Sequence, residues 1–206
     1  MSTIFETLRL GGIAIYPLLF LGFLMTVIIF DKTIIYFRYT KLPSTLLNLV
    51  ETFGFDWKTF QNELSGLPGG NFYLRFFSVI YENRARPAWW LESRAGDEAR
   101  LIEKDLNKGN WVLETVVTAA PLIGLLGTII GMMNSFKIIG ANGLVKPEQV
   151  TGGVAEALIA SAFGLLIALI ALFAFNYFSK RNAEIMDEME RLGTRIIDHI
   201  RLDQEK

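Results

Sequence analysis

Charged side chains fall along this chain in blocks, and the gaps between the blocks predict its elements. Leu10 to Phe30 is 21 residues without a charge, Thr115 to Phe136 is 22 and Ala157 to Ser179 is 23. At about 1.5 Å of rise per helical residue, each run crosses a hydrocarbon core of ~30 Å. In lipid every backbone amide must be satisfied within its own segment, so the pattern predicts three transmembrane helices and an all-α membrane protein. Three buried helices of a soluble protein are the alternative, but such helices rarely exceed ~20 residues without a charged face. The first run is too long for the apolar core of a signal peptide. No small-residue cleavage site follows it before Asp31 and Lys32, so it is expected to stay attached.

The flanking charges predict one orientation. Arg9 stands alone before the first run, whereas Lys32, Arg38 and Lys41 follow it. Arg100, Lys104 and Lys108 precede the second run, and Lys180, Arg181, Arg191 and Arg195 follow the third, against Lys137 and Lys146 between them. The positive-inside rule then places residues 1–9 outside and 10–30 as the first span. A cytoplasmic segment, 31–114, leads to the second span, 115–136. A short external loop, 137–152, leads to the third span, 153–179, and residues 180–206 form a cytoplasmic tail.

Two stripes extend the apolar pattern beyond the membrane. Leu91, Ala95, Ala99, Ile102 and Leu106 recur at spacings of one helical face and run straight toward the second span, while Ile185, Met189, Leu192, Ile196 and Ile200 do the same after the third. Each reads as the extension of a membrane helix, and each is the other's nearest candidate partner in a projecting bundle. The Glu-Lys and Arg-Asp runs around them read as solvated faces. Between Pro43 and Pro87, Gly66, Pro68, Gly69 and Gly70 break two shorter helical stretches. Trp57, Trp89 and Trp90 are expected to pack that insert, whereas Trp111, where the second span enters lipid, suits an interfacial anchor.

Composition narrows the chemistry. With 20 basic against 21 acidic side chains in 206 residues, no general electrostatic case exists for nucleic acid. The absence of cysteine removes disulfides and thiolate chemistry, and one histidine leaves little for metal ligation or base catalysis, so no metal site or cofactor is expected. No phosphate loop and no set of nucleophile, base and orienter is visible, so an enzyme is not expected.

The interest therefore lies in the small and polar residues of the spans. Pro121, Gly124, Gly127, Thr128 and Gly131 mark the second, and Gly153, Ala157, Ala160, Ser161, Gly164 and Ala168 the third. Small stripes let helix backbones approach closely in lipid, and packing alone accounts for each glycine. Two such faces offer more adhesive surface than one three-span monomer can bury, so self-assembly is expected. Glu156 is the sole acid between Gln149 and Ser179, and an ionisable group in a span reads as functional, although near an interface it can simply reach headgroups. Thr128 and Ser161 each lie eight residues inside the expected outer boundary, about 12 Å along a helix. On antiparallel helices they could share one depth and line a polar seam, although a span hydroxyl usually bonds its own i−4 carbonyl.

The runs TAAPLIGLLGTIIGMMNSF and GGVAEALIASAFGLLIAL, between Ala119 and Tyr177, resemble the paired signatures of the MotA/TolQ/ExbB proton-channel family. Three spans favour the ExbB/TolQ branch, with ExbB the nearer. The resemblance implies a ring of five subunits in a bacterial inner membrane, surrounding a dimer of an ExbD- or TolR-like single-span partner. It also implies a TonB- or TolA-like effector spanning the periplasm. The second and third spans would line the pore, packed through Pro121, Gly124, Gly127, Gly131, Asn134, Ala160 and Gly164. Thr128 matches the family threonine and Glu156 the acid of the third helix. Ser161 stands where threonine is usual, which keeps the hydroxyl and leaves proton against sodium open. Lys180 and Arg181 could bind anionic lipid headgroups, although ordinary positive-inside flanking explains them equally.

A partner is also required on physical grounds. Glu156 alone cannot relay a proton across ~30 Å, and no second acid lies deeper in any span. A partner carboxylate would carry it, and inward proton flow would turn the partner pair within the ring. Import, envelope maintenance and gliding are all compatible outputs. A passive membrane scaffold is the competing reading from another class; a transporter with its own site would need repeat symmetry that the chain does not show.

Overall fold

The computed structural model describes residues 12–52, 55–142 and 147–204, with side chains described for all of these except 138–142 and 147–150. The expected external segment 1–9, the start of the first span at Leu10 and the middle of the 137–152 loop lie outside the described residues. Among the described residues the chain forms seven α-helices and no strand: α1 (Ile15–Tyr39), α2 (Ser44–Glu51), α3 (Trp57–Ser65), α4 (Phe72–Glu82), α5 (Ala88–Asn107), α6 (Asn110–Asn142) and α7 (Pro147–Gln204). Three stretches are long and apolar enough to cross a membrane, and they lie on α1, α6 and α7. The all-α class and the three membrane-compatible helices expected from the charge pattern are both present.

Helix ends and span ends differ. The α6 helix begins five residues before Thr115 and continues beyond Phe136, and α7 runs unbroken for 58 residues, about 87 Å at the helical rise. Charge marks where contact with lipid stops, whereas intrahelical hydrogen bonds continue equally well in water. The extension expected on the third span is therefore real. The one expected on the second is not continuous, because α5 stops at Asn107 and Gly109 adopts φ +85 before α6 starts. A left-handed residue cannot continue a right-handed helix, and glycine adopts that conformation without a Cβ penalty.

The chain divides into two compact units. The span unit comprises the chain up to Phe30 and Gly109–Tyr177; the bundle unit comprises Asp31–Lys108 and Phe178–Lys206. In the span unit the outward faces are apolar: Phe20, Phe23 and Phe30 on α1, Leu122, Leu125 and Phe136 on α6, and Leu158, Leu165 and Phe173 on α7 are all exposed. Bulky side chains outside and small ones inside is the inverse of a soluble protein, and it suits lipid as the solvent.

In the bundle unit the two sequence stripes are buried, with only Ala99 part-exposed. The insert is three short helices rather than two stretches, because the Gly66–Gly70 break separates α3 from α4 and Thr52 ends α2 before it. Phe60, Tyr73, Phe76, Phe77 and Ile80 join the stripes in one core, with Phe60, Phe76 and Phe77 meeting at ring-centroid distances of 5.4–5.8 Å. The stripes are thus not simply each other's partners. Phe76 of α4 packs on Gly193 of α7, so close that a Cβ there would lie 2.8 Å from the ring. Trp57 packs as expected, against Phe55 and Phe60, with Nε1 donating to Asp203 at 2.9 Å. Trp90 packs against the core, but Trp89 is 70% exposed, because it turns to the outer side of α5.

Caps fix the short helices. Asp56 caps α3 by accepting from the Thr59 hydroxyl at 2.7 Å and the Thr59 amide at 3.0 Å, and those bonds hold its carboxyl below the usual carboxylate range. Tyr73 donates to the Glu188 carboxylate; burial, and then that carboxylate, push its phenol well above the ordinary value, so it remains a donor. Asn71, fully buried, caps α4 by accepting from the amides of Tyr73 at 2.8 Å and Leu74 at 3.3 Å, while its Nδ2 donates to the Lys41 carbonyl at 2.9 Å. Replacing Asn71 with alanine removes the cap and strands a carbonyl, an expected loss of about 2 kcal/mol. Unfolding of the detergent-purified protein, followed by circular dichroism, measures it. Asn71→Asp retains the cap and is expected to cost less.

Candidate functional site

The small residues of α6 and α7 face each other along an antiparallel seam. At one end a Cβ on Gly164 would lie 2.5 Å from the Ala120 carbonyl oxygen and 3.1 Å from the Gly124 Cα. A Cβ on Gly124 would meet the Ala160 carbonyl and the Ser161 Cα, both at 3.1 Å. Further along, Gly127 abuts the Cβ atoms of Ala160 and Ala14, and Gly131 abuts Ala157 and the Gly153 carbonyl. Gly153 in turn lies against the hydroxyl of Ser135, which is buried and donates to the Gly131 carbonyl at 3.0 Å. Backbones this near gain dispersion and Cα–H contacts that any larger residue would prevent.

This arrangement removes the reason offered for self-assembly. The two small faces are not left over for a neighbour; they bury each other within one chain. Only contact between α6 and α7 reveals this, since periodicity locates each face without saying what covers it.

The seam holds the hydroxyls of Thr128 and Ser161 at 3.3 Å, both half-buried. Thr128 also bonds the carbonyls of Leu125 at 2.8 Å and Gly124 at 3.2 Å, so local back-bonding and the interhelical contact coexist. Glu156 is not brought to this pair. Five residues separate it from Ser161, a turn of about 140° around α7, and its carboxylate lies against Gly12, where φ is +63. A side chain at Gly12 would collide with it. Pro121 interrupts the α6 hydrogen-bond ladder beside the seam, and Ala160 is buried within it. Asn134 is exposed on α6, away from Thr128. Trp111 is exposed in the first turn of α6; Lys180 is exposed; Arg181 pairs with Glu184 at 3.0 Å. Among the described residues no group of three or more His, Cys, Asp or Glu is placed to hold a metal ion.

A second polar cluster, in the bundle unit, escaped the sequence reading. Lys32 is buried, and its Nζ donates to the Leu106 carbonyl at 2.6 Å. Asn182 donates to the same carbonyl at 3.3 Å and to Asn107 Oδ1 at 2.7 Å, and it accepts from the Tyr36 hydroxyl. The Tyr36 and Phe178 rings stack at 5.4 Å, with the Lys32 Nζ 5.7 Å from the Phe178 centroid. Leu106 lies in the last turn of α5, where carbonyls lack intrahelical donors and a cation is favoured. In sequence Lys32 counts as a flanking charge. Its only distinguishing mark is its spacing of four from Tyr36, on the same face of α1.

Helices joined so closely through glycine, with bulky apolar side chains turned outward, define a multispan helical membrane protein. A model of the MotA/TolQ/ExbB proton channel family matches residues 75–191, more than half of the chain, so the chain belongs to that family. The match reaches into α4 and along α7, beyond the two signature runs. The putative biopolymer transport protein ExbB-like 3 of a Synechocystis strain is 31% identical over 176 residues, 82% of this chain and 81% of that protein. The biopolymer transport protein ExbB of Xanthomonas campestris is 44% identical over 85 residues, 41% of this chain, and that of Aquifex aeolicus is 35% identical over 91 residues, 44% of this chain. The matched stretches span about a third of the Xanthomonas protein (34%) and under two thirds of the Aquifex protein (62%).

The packing yields a direct test. Gly164→Val should force the backbones apart and destabilise the span unit by about 1–3 kcal/mol. Gly152→Ala, whose Cβ would meet nothing within 4 Å, should leave stability unchanged or raise it slightly. Thermal aggregation of the two variants in detergent separates these outcomes.

Proposed function

We propose that this chain is the ring-forming subunit of a proton-driven motor in a bacterial inner membrane, its N-terminus outside and its C-terminus in the cytoplasm. Five copies surround a dimer of a single-span partner whose intramembrane carboxylate carries the proton. The observation that supports this reading best is the Thr128–Ser161 pair, two hydroxyls at one depth on the edge of a seam otherwise made of small residues. Such a pair offers a passing carboxyl group both a donor and an acceptor, in surroundings where a bare charge at a helix centre costs about 2.5–3.5 kcal/mol. A protonated partner acid can cross lipid-like surroundings, and an ionised one rests against the hydroxyls. One charge falling through 100 mV releases about 2.3 kcal/mol, enough to bias each step. Glu156, on another face, serves as an acid near the outer end rather than as part of the hydroxyl lane.

The output is transmitted through a periplasm-spanning effector. The relatives' role in biopolymer transport favours import over envelope maintenance or gliding. The proposed ion is the proton; sodium stays open, because a carboxylate beside two hydroxyls can take up either ion.

Co-reconstitution with the single-span partner in liposomes, with a pH-sensitive dye inside, tests the reading. Thr128→Val and Ser161→Ala should each lower proton flux at least about tenfold, the equivalent of 1.4 kcal/mol, while the complex still assembles. Glu156→Gln should lower it less. Undiminished output in cells carrying Thr128→Val would leave the scaffold reading in its place.

A further inference from the structure

The bundle unit carries an open groove between α5 and α7 that no function described above uses. It has a volume of about 440 Å³, with Phe76, Ala95, Ala99 and Met186 among its apolar lining. Its small side chains leave room: a Cβ on Gly96 would meet nothing within 4 Å. The rim is acidic on both walls, with Glu92 and Glu103 on α5 and Asp187 and Glu190 on α7, and no basic side chain lines it. Glu92 pairs with Arg201; the other three have no ion pair among the described residues.

A different face of α5 has the complementary character. Arg94, Leu101, Lys104 and Lys108 fall on one helical stripe, with Leu101 50% exposed. Two acids sit beside Leu101 on that side of the helix, and each is already paired: Asp97 lies 4.0 Å from Arg94 and Asp105 lies 2.7 Å from Arg75, which leaves Lys104 and Lys108 as the excess charge. Lys104 and Lys108 have no ion pair among the described residues. The step from Gly96 to Leu101 turns about 140° around the helix, so ridge and groove cannot meet within one copy.

We propose that the ridge of one copy seats in the groove of the next, with Leu101 on the apolar floor and Lys104 and Lys108 against Glu103, Asp187 and Glu190. The contact is heterologous: each copy offers a ridge to one neighbour and a groove to the other. Such contacts close into a ring when the rotation permits. Apolar burial supplies the adhesion, and the opposed charges set the register. This deepens the ring reading and rests on it, naming the surfaces that the α6–α7 seam, buried within each chain, does not provide.

The natural absence of cysteine makes the test unambiguous. In the full chain, expressed in membranes with its partner, Gly96→Cys combined with Leu101→Cys should give a disulfide ladder of multimers on oxidation. Either variant alone should give none, since identical faces do not meet. Adding Glu190→Lys should cut the ladder about fivefold, and Lys104→Glu added to that chain should restore it. A missing ladder from a complex whose native mass is still that of a multimer overturns the proposal and leaves the ring standing. Cross-linking of Leu101→Cys to itself also overturns it, and a monomeric native mass overturns both the proposal and the ring.

Discussion

Close approach of the α6 and α7 backbones is the constraint on which the rest of the span unit depends. In lipid the hydrophobic effect does not press helices together, so adhesion comes from dispersion and weak polar contacts that fall away steeply with distance. Gly124, Gly127, Gly131, Gly153 and Gly164 are each placed where a Cβ would lie within 3.3 Å of a facing atom. That spacing is also what holds the Thr128 and Ser161 hydroxyls at 3.3 Å, because a wider seam would leave each hydroxyl only its own helix to bond. Packing and polarity are therefore one feature. The glycines position the hydroxyls.

With those faces buried inside one chain, the proposed assembly draws on other surfaces. The span unit presents bulky apolar side chains, which lipid satisfies as well as protein does. The bundle unit presents an acid-rimmed groove and a ridge on which Lys104 and Lys108 are in excess, and these differ from a solvated surface because each sets charge around apolar contact area. Phe76 of α4, packed on Gly193, forms part of the groove's lining. An insert that looks like filler in sequence thus shapes the surface available to a neighbour.

Lys32 shows the same dependence on context. Counted as a flanking charge, it supports an orientation; folded, it is buried, with Asn182, on the Leu106 carbonyl. Arg38 and Lys41 remain to carry the charge asymmetry after the first span. The carbonyl it satisfies lacks an intrahelical donor because α5 ends there, where Lys108 leaves the helical conformation and Gly109 turns left-handed. Three chain segments far apart in sequence are joined at one oxygen atom.

Much of this was legible without coordinates. Charge-free runs of 21, 22 and 23 residues determine three spans, because an uncompensated charge is costly in hydrocarbon whatever surrounds it. The stripes Leu91–Leu106 and Ile185–Ile200 determine two buried helix faces, because helical geometry alone sets their spacing, and the quoted runs between Ala119 and Tyr177 sufficed to place the family. Tertiary structure decided which surfaces meet: that the small faces cover each other, that Glu156 turns about 140° from Ser161, that Trp89 faces outward and Lys32 inward, and that α5 and α6 are separate helices. Periodicity is a property of one helix and can be read along the chain. A partner face is a property of two, and it exists only once the backbones have approached.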